Sequence, residues 1–377
     1  MRSSPTMQRA AVRLTDRPMD TPRPRLTPAT GRAVLCRAGF EKEAAGEMSA
    51  LAGEARCGGY ARAVADTGVA AFELYAAEDL GALQAACAWS RLVFARTAWD
   101  LHARIDGLPS HDRVGALREA FQLLQIHGGS LRVEHADSAD ARTLSPLARA
   151  LSLPLQRSFH EAGVLRAGEA RTLHILLTPD AGALLCSAMP GSASAWPGGI
   201  PRLRFPASAP SRSTLKLEEA LLVLLDESER RRWLAPGQRA VDLGASPGGW
   251  TWQLVRRSIR VTAVDNGPMQ AALLDSGLVE HRRDDGFRYL PPKPVDWLVC
   301  DMVEQPRRVA QLMARWLVGR HCARGLFNLK LPMKKRREEV EICLGILRAA
   351  VPGIQLRARQ LYHDREEVTV LALPAPR

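Results

Sequence analysis

Short apolar runs alternate with segments of helical periodicity from residue 211 to the end of the chain. The predicted strands are 240–243, 261–264, 297–300, 325–329, 355–361 and 368–371, and the predicted helices are 218–225, 250–257, 268–276, 309–317 and 337–350. This alternation predicts an α/β domain, a Rossmann-like sheet with helices on both faces, over 211–377. The last two runs lie too close together for a crossover helix, so we expect them to pair antiparallel.

The N-terminal half shows a different order of elements. Strands at 32–36, 60–64, 69–75 and 92–96, with helices at 40–51 and 80–89, give the β-α-β-β-α-β order of a ferredoxin-like domain over 31–97. A second α+β unit, 98–190, has helices at 114–126 and 143–151, a strand at 131–136 and a hairpin of 173–177 with 183–187. We expect the Pro- and Gly-rich stretch 191–210 to be a linker.

Residues 1–30 are rich in Arg, Pro, Thr and Ser and have little apolar periodicity. A transit peptide is disfavoured because the segment contains Asp16 and Asp20 and lacks an apolar face. We therefore predict a disordered N-terminal extension, with ordered sequence beginning near Arg32.

Composition narrows the class of protein. The chain has 377 residues, 46% of them hydrophobic, and a formal charge of +12, which favours a polyanionic partner without choosing between nucleic acid and an acidic membrane surface. Its seven cysteines are widely spaced and form no Cys-x-x-Cys pair, which is typical of reduced thiols in a cytoplasmic protein and not of a zinc site. No apolar run approaches the ~18–20 residues of a membrane span, so we expect no membrane partner.

The run from Asp242 to Trp250, DLGASPGGW, joins a predicted strand to a predicted helix through a glycine-rich loop. Glycines let a backbone approach a ligand closely, and ligands of open α/β sheets bind at the carboxyl ends of the strands. The loop lacks the dinucleotide and P-loop patterns and contains no Lys or Arg, which disfavours a phosphate-rich ligand. By itself it is also compatible with a purely structural turn.

Three aspartates follow the next predicted segments. Asp265 ends a strand 21 residues after Gly244, where a carboxylate can accept ribose hydroxyls, and Asp285 is a candidate for the adenine amino group. Asp301 ends another strand at the same expected edge. An adenosine without phosphates that carries a sulfonium fits this set, so we predict S-adenosylmethionine as the cofactor, S-adenosylhomocysteine as its product, and no metal.

Lys330 lies at the carboxyl end of a predicted buried strand and is a candidate general base. We expect desolvation and neighbouring cations, Lys216 among them, to lower its pKa. Glu367 is expected to orient Lys330 or a ribose, and Asp301 to position Lys330 and the methyl group. Singly, each is also compatible with a solvated surface charge. The basic run 334–337 is compatible with a helix start or with phosphate contacts.

Several segments together resemble the RlmM family, bacterial methyltransferases of the ribose 2′-hydroxyl of a large-subunit rRNA cytidine. The resemblance covers about Val34 to the end and is carried by CRAGFEKE (36–43), FAR (94–96), SRSTLKLEEA (211–220), the 242–250 loop, DNGPM (265–269), CDMVE (300–304), FNLKLPMKK (327–335) and LYHDREEVTV (361–370). The sequence departs from the family at Ser246, where some relatives are expected to have Cys, and in its N-terminal extension.

The resemblance implies a ferredoxin-like and a THUMP-type RNA-binding domain before the methyltransferase domain. It implies a catalytic tetrad of Lys216, Asp301, Lys330 and Glu367, with one cytidine in the peptidyl-transferase loop of 23S rRNA as substrate. The residues implied to contact the methyl donor, S-adenosylmethionine, are Ser213, Ser246, Pro247, Gly248, Gly249, Asp265, Asp285 and Asp301. We expect a monomer.

Two other functions stay open at this stage. Amino-nitrogen methyltransferases typically carry an Asp/Asn-Pro-Pro-aromatic loop, whereas the corresponding stretch here reads Asp301-Met302-Val303-Glu304. An RNA-binding or assembly protein with an inactive donor site is disfavoured by the complete set of four charged residues.

Overall fold

The structure of the protein is a computed structural model that describes residues 12–13 and 24–375. The chain divides into two compact units, Met1–Ile200 and Pro201–Arg377. Our prediction of disorder for residues 1–30 lies mostly outside the described residues.

The first unit is built on one continuous sheet. Its elements are β1 (Val12–Arg13), β2 (Arg25–Cys36), α1 (Glu41–Glu54), β3 (Gly59–Ala63), β4 (Val69–Leu74), α2 (Leu80–Ala86), β5 (Ala95–Asp106), α3 (Arg113–Leu123), β6 (Ser130–His135), α4 (Ala139–Arg142), α5 (Ser145–Glu161), β7 (Thr172–Thr178) and β8 (Gly182–Ala188). The strand order is β3-β4-β2-β5-β8-β7-β6, with β1 paired to β2. Among the described strands of this unit, only the β6–β7 pair is parallel.

Two boundaries predicted for this unit need correction. Strand β2 begins at Arg25, so residues 25–30 belong to the sheet, and Leu26 and Ala29 are buried against it. Strand β5 runs through the boundary that we placed between residues 97 and 98. Its alternation of Trp99, Leu101, Ala103 and Ile105 with polar residues is the period-2 pattern of a strand. The two predicted N-terminal domains therefore share one sheet.

The second unit alternates strands and helices, as predicted. Its elements are α6 (Thr214–Leu224), α7 (Glu227–Trp233), β9 (Arg239–Leu243), α8 (Gly249–Val255), β10 (Arg260–Val264), α9 (Ala271–Leu274), β11 (Val279–Arg282), β12 (Val295–Cys300), α10 (Pro306–Val318), β13 (Cys322–Lys330), α11 (Arg336–Ala350), β14 (Gln355–Arg359) and β15 (Glu367–Leu373). Helix α7 and the edge strand β11 were not predicted. The predicted helix 268–276 is only one turn long.

The order of the second sheet determines where a ligand can bind. The strands run β11-β10-β9-β12-β13-β15-β14; the first five are parallel, and β15 is antiparallel to both of its neighbours, which confirms the predicted antiparallel pair. From β9 the chain passes to β10 on one side, and it later returns to β12 on the other. Loops leaving such neighbouring strands diverge, which opens a crevice at the carboxyl ends of β9 and β12.

Candidate active site

The glycine-rich loop leaves β9 and leads directly into α8. Gly244 and Gly248 have positive φ angles of 76° and 117°, a region that side chains rarely adopt. A Cβ on Gly244 would lie 2.5 Å from Met302 Cγ, and one on Gly249 would lie 2.1 Å from Ser213 Oγ. Because neighbouring groups occupy the space on both sides, the close packing of this loop requires glycine at these positions.

Asp265 connects this loop to the end of β10. Its carboxylate accepts hydrogen bonds from the backbone N–H of Ser246 at 3.0 Å and of Gly267 at 2.7 Å. The Ser246 hydroxyl donates to the carbonyl of Pro268 at 2.8 Å, and the Pro247 carbonyl accepts from Gln270 N at 3.1 Å. Five of the residues predicted to contact the methyl donor, 246–249 and 265, thus lie together, and Ser213 lies against Gly249.

Asp285 lies on the loop that follows β11. Its carboxylate accepts from Phe287 N at 2.8 Å and lies 3.5 Å from Arg288 Nε, with about half of the side chain exposed. The next residue, Gly286, is close to Met302, because a Cβ there would lie 3.1 Å from Met302 Sδ. Since Met302 also packs on Gly244, the loop that carries Asp285 belongs to the same edge of the sheet.

Four charged side chains meet at the carboxyl ends of the central strands. Lys330 Nζ donates to Asp301 Oδ1 and to Glu367 Oε1, at 2.7 Å in each case. Lys216 Nζ lies 2.9 Å from Glu367 Oε1 and 3.4 Å from Asp301 Oδ2. Three of the four are placed by neighbouring strands, since Asp301 follows β12, Lys330 ends β13, and Glu367 is the register partner of Lys330 on β15. We call Lys216, Asp301, Lys330 and Glu367 the tetrad.

The electrostatics of the tetrad correct one of our predictions. Burial tends to lower the pKa of Lys330, but the charges of Asp301 and Glu367 and their hydrogen bonds outweigh burial, so the pKa is raised well above its ordinary value. Burial opposes ionisation of Glu367, yet the hydrogen bond and charge of Lys330 hold its pKa down at about 2. The expectation of a lowered pKa for Lys330 is therefore wrong for this site, because two carboxylates, and not cations alone, surround the amine.

Two further polar groups lie beneath the tetrad and received no role from the sequence. Asn328 Nδ2 donates to Asp301 Oδ1 at 2.9 Å, and the Thr369 hydroxyl donates to Asn328 Oδ1 at 2.7 Å. Both side chains are fully buried. The available signal was a polar residue between the apolar Phe327 and Leu329 of one strand, since a buried amide needs partners.

Glu219 ties helix α6 to the segment between β14 and β15. Its buried carboxylate accepts from the backbone N–H of Tyr362 and of His363, both at 2.8 Å, and lies 2.6 Å from His363 Nδ1. The same helix carries Lys216, and the same segment leads to Glu367. This contact therefore holds two parts of the tetrad in place.

The basic run after Lys330 is divided between two environments. Helix α11 begins at Arg336, which pairs with Glu366 at 2.8 Å, and Arg337 pairs with Glu341 one turn away. Lys334 and Lys335 are exposed. In the part of the chain that the structure describes, no group of three or more His, Cys, Asp and Glu side chains is placed to hold a metal ion, and no helix is long and apolar enough to span a membrane.

Family models match three regions of the chain. The model described as the RlmM ferredoxin-like domain matches residues 31–99, which confirms the ferredoxin-like prediction. The N-terminal model of ribosomal RNA large subunit methyltransferase M matches 112–188, and the FtsJ-like methyltransferase model matches 209–326.

Curated relatives are similar over nearly the whole chain. Ribosomal RNA large subunit methyltransferase M of Thauera aminoaromatica is 48% identical over 339 residues, which cover 89% of this chain and 93% of that protein. The protein of the same name from Xanthomonas oryzae pv. oryzae (strain PXO99A) is 46% identical over 348 residues, 91% of this chain and 99% of that one. Among solved structures, TrmN from Thermus thermophilus is similar at a TM-score of only 0.33 and 17% identity, covering 92% of this chain and 100% of that one.

The parallel sheet, its glycine-rich loop and the FtsJ-like match define this protein as a methyltransferase. More specifically, the chain belongs to the ribosomal RNA large subunit methyltransferase M family.

Proposed function

We propose that this enzyme transfers a methyl group from S-adenosylmethionine to the ribose 2′-hydroxyl of a cytidine in the peptidyl-transferase loop of 23S rRNA. Its relatives carry the name of a ribosomal RNA large subunit methyltransferase, and a net charge of +12 favours a polyanionic substrate. The observation that carries the proposal is the tetrad, in which Lys330 Nζ is 2.7 Å from two carboxylates at the carboxyl edge of the sheet.

The residues around the glycine-rich loop fit the methyl donor. The loop contains no cation for a phosphate, whereas Asp265 at its edge offers a carboxylate to ribose hydroxyls. In the proposal Ser213 and residues 246–249 line the donor, Asp285 faces the adenine, and Asp301 lies between donor and tetrad. When bound, S-adenosylmethionine would supply the methyl group and a sulfonium charge, and a positive charge beside the tetrad would disfavour the ammonium form of Lys330.

Lys330 is the proposed general base. Its charged partners in the tetrad determine its protonation state before the reaction. With its pKa raised, Lys330 is an ammonium group at neutral pH and must release its proton to solvent before it can accept that of the ribose hydroxyl. Lys216 contacts both carboxylates, so it can balance one of their two negative charges after Lys330 is neutral. Asp301 and Glu367 then hold the neutral amine in position, and the amine would take the hydroxyl proton as the ribose oxygen bonds to the methyl group, whose bond to sulfur would break and leave a neutral thioether.

We propose that residues 98–190 are a THUMP-type domain and that the first unit binds rRNA. The enzyme acts as a monomer in the cytoplasm. RNA binding is expected to weaken steeply with salt because Lys and Arg side chains displace counterions from phosphates.

The proposal is tested by the position of the transferred methyl group. Large-subunit rRNA lacking the modification is incubated with enzyme and radiolabelled S-adenosylmethionine and then digested with alkali. Alkaline cleavage needs a free 2′-hydroxyl, so a ribose product appears as an alkali-resistant dinucleotide that contains cytidine. Label in an ordinary mononucleotide would assign the methyl to a base and overturn the proposal; absence of label with every rRNA would favour a binding protein.

A further inference from the structure

A chain of hydrogen-bonded, buried side chains runs from the tetrad into the interior of the second unit. Asp301 Oδ1 is 2.9 Å from Asn328 Nδ2, Asn328 Oδ1 is 2.7 Å from Thr369 Oγ1, and Thr369 Oγ1 is 2.9 Å from Asp364 Oδ2. Asn328, Thr369 and Asp364 are each 0% exposed. Because these three side chains are shielded from bulk water, the hydrogens of these three bonds can be counted from the groups that form them.

Asp301 determines the direction of the first hydrogen bond in the chain. Its carboxylate contacts the Nζ atoms of Lys330 and Lys216, which donate, so it acts as an acceptor only. Asn328 must accordingly turn its NH₂ towards Asp301 and its carbonyl oxygen towards Thr369. The single hydroxyl hydrogen of Thr369 is then used in the bond to Asn328 Oδ1.

The hydrogen bond between Thr369 and Asp364 needs one more hydrogen. Thr369 Oγ1 has no hydrogen left for Asp364 Oδ2, and two bare acceptor oxygens do not form a hydrogen bond at 2.9 Å. A proton on Asp364 Oδ2 completes the link. Leu361 N also donates to this oxygen, at 3.1 Å, and a hydroxyl can accept that bond while it donates its own hydrogen.

The surroundings of Asp364 also favour the protonated form. Burial, with the carboxylates of Glu367 on β15 and Glu219 on α6, raises the pKa of Asp364 to about 8. His363, the neighbouring residue, directs its Nδ1 to Glu219 at 2.6 Å.

We propose that Asp364 is held as a neutral acid and is a positioning residue for the tetrad. Its proton fixes the direction of the Thr369 hydroxyl, which fixes the Asn328 amide, which in turn holds Asp301 Oδ1 towards Lys330. Ionised Asp364 would draw the Thr369 hydrogen to itself and leave Asn328 Oδ1 without a donor. The effect on catalysis rests on the proposed function, whereas the protonation state of Asp364 does not.

The protonation state is measured by infrared difference spectroscopy of the whole protein across a pH series. Comparison of the native chain with Asp364→Asn isolates the carbonyl band of the neutral acid, which we expect at pH 7 and expect to disappear with a midpoint near 8. Asp242→Asn is the matched control, because Asp242 is the other buried aspartate with a strongly raised pKa, about 7, and must account for a separate band. If Asp364→Asn removes no neutral-acid band at pH 7, the proposal is wrong.

The positioning role is measured with two substitutions of Thr369. Thr369→Val keeps the shape and removes the hydroxyl, so kcat should fall by about 10-fold with little change in the KM for S-adenosylmethionine, whereas Thr369→Ser should restore most of that loss. Equal kcat values for the two variants would overturn the positioning role. If the native enzyme transfers no methyl group to any rRNA, the proposed function fails, while the infrared result still decides the state of Asp364.

Discussion

The two edges of the sheet in the second unit differ in what their polar groups do. At the edge where the parallel strands begin, a cavity of about 740 Å³ is lined largely by apolar groups such as Val318 and Pro374. Two polar side chains there bond to backbone groups of the fold, since Asp296 accepts from Arg239 N at 2.9 Å and Arg239 donates to the Pro294 carbonyl at 3.0 Å. At the carboxyl edge, by contrast, four charged side chains converge on one point.

A cavity alone therefore does not mark the candidate site. Strand ends at the carboxyl edge carry charges that face one another, and their pKa values are displaced in opposite directions, upwards for Lys330 and downwards for Glu367. Such displaced values are characteristic of functional sites. Matched substitutions at the two edges can therefore test whether activity and binding depend on the carboxyl edge alone.

The largest expected effect follows removal of the tetrad amine. Lys330→Met should lower kcat by about 10³-fold, because no group at that position then accepts the hydroxyl proton. The matched control is Lys293→Met, an exposed lysine near the opposite edge, which should leave kcat unchanged. Single-turnover methyl transfer to unmodified rRNA measures both, and near-native activity of Lys330→Met would eliminate Lys330 as the base.

A second, smaller effect concerns binding at the proposed site of the methyl donor. Asp265→Asn should weaken binding of S-adenosylhomocysteine by about 10-fold, the cost of one charge-assisted hydrogen bond. Asp296→Asn is the control, because Asp296 also accepts a backbone N–H but lies at the opposite edge. Calorimetric titration gives both dissociation constants, and equal values for the two variants would place the donor elsewhere.

Two exposed apolar side chains follow the tetrad residues on adjacent strands. Val303 is 90% exposed and Met333 is 91% exposed. If RNA covers this edge, Val303→Ala and Met333→Ala should each raise the KM for rRNA by about 3-fold, from the loss of apolar contact area. Val318→Ala, 59% exposed near the opposite cavity, is the control, and an equal change in all three variants would refute an RNA-covered edge.

The smallest effect is on stability rather than activity. Burial and the nearby carboxylates of Asp301 and Asp265 raise the pKa of Asp242 from 3.8 to about 7, although Thr251 donates to it at 2.6 Å. Because the folded value exceeds the unfolded one, this group stabilises the fold fully below about pH 4, and that contribution is lost as the pH rises through 7.

Thermal unfolding across this range measures the Asp242 contribution. Asp242→Asn should reduce the fall in Tm between pH 4 and pH 7 by a few degrees, since each kcal/mol shifts Tm by about 2–4 °C in a unit of this size. The exposed Asp275→Asn variant should keep the native pH profile. A profile of Asp242→Asn that matches the native one would mean that Asp242 is ionised in the folded protein throughout.

The amino-acid sequence predicted most of the second unit and the tetrad's location. Apolar runs such as 297–300 and 325–329 read as buried strands, and the residue after a parallel strand lies at the carboxyl edge whatever the rest of the fold does. Asp301 and Lys330 could therefore be placed together before any contact was known. The short segment between the last two runs also predicted the antiparallel end of the sheet, because it leaves no room for a crossover helix.

Only the tertiary structure decided the features that depend on contacts between residues distant in sequence. The polar residues within β5 concealed a strand whose pairing with β2 and β8 makes one sheet of two predicted domains. The pKa of Lys330 is raised and not lowered because Asp301, which follows β12, and Glu367 on β15 both contact its amine. The chain from Asp301 to Asp364 likewise exists only after folding, since local patterns record which face a side chain occupies but not which charge it will meet.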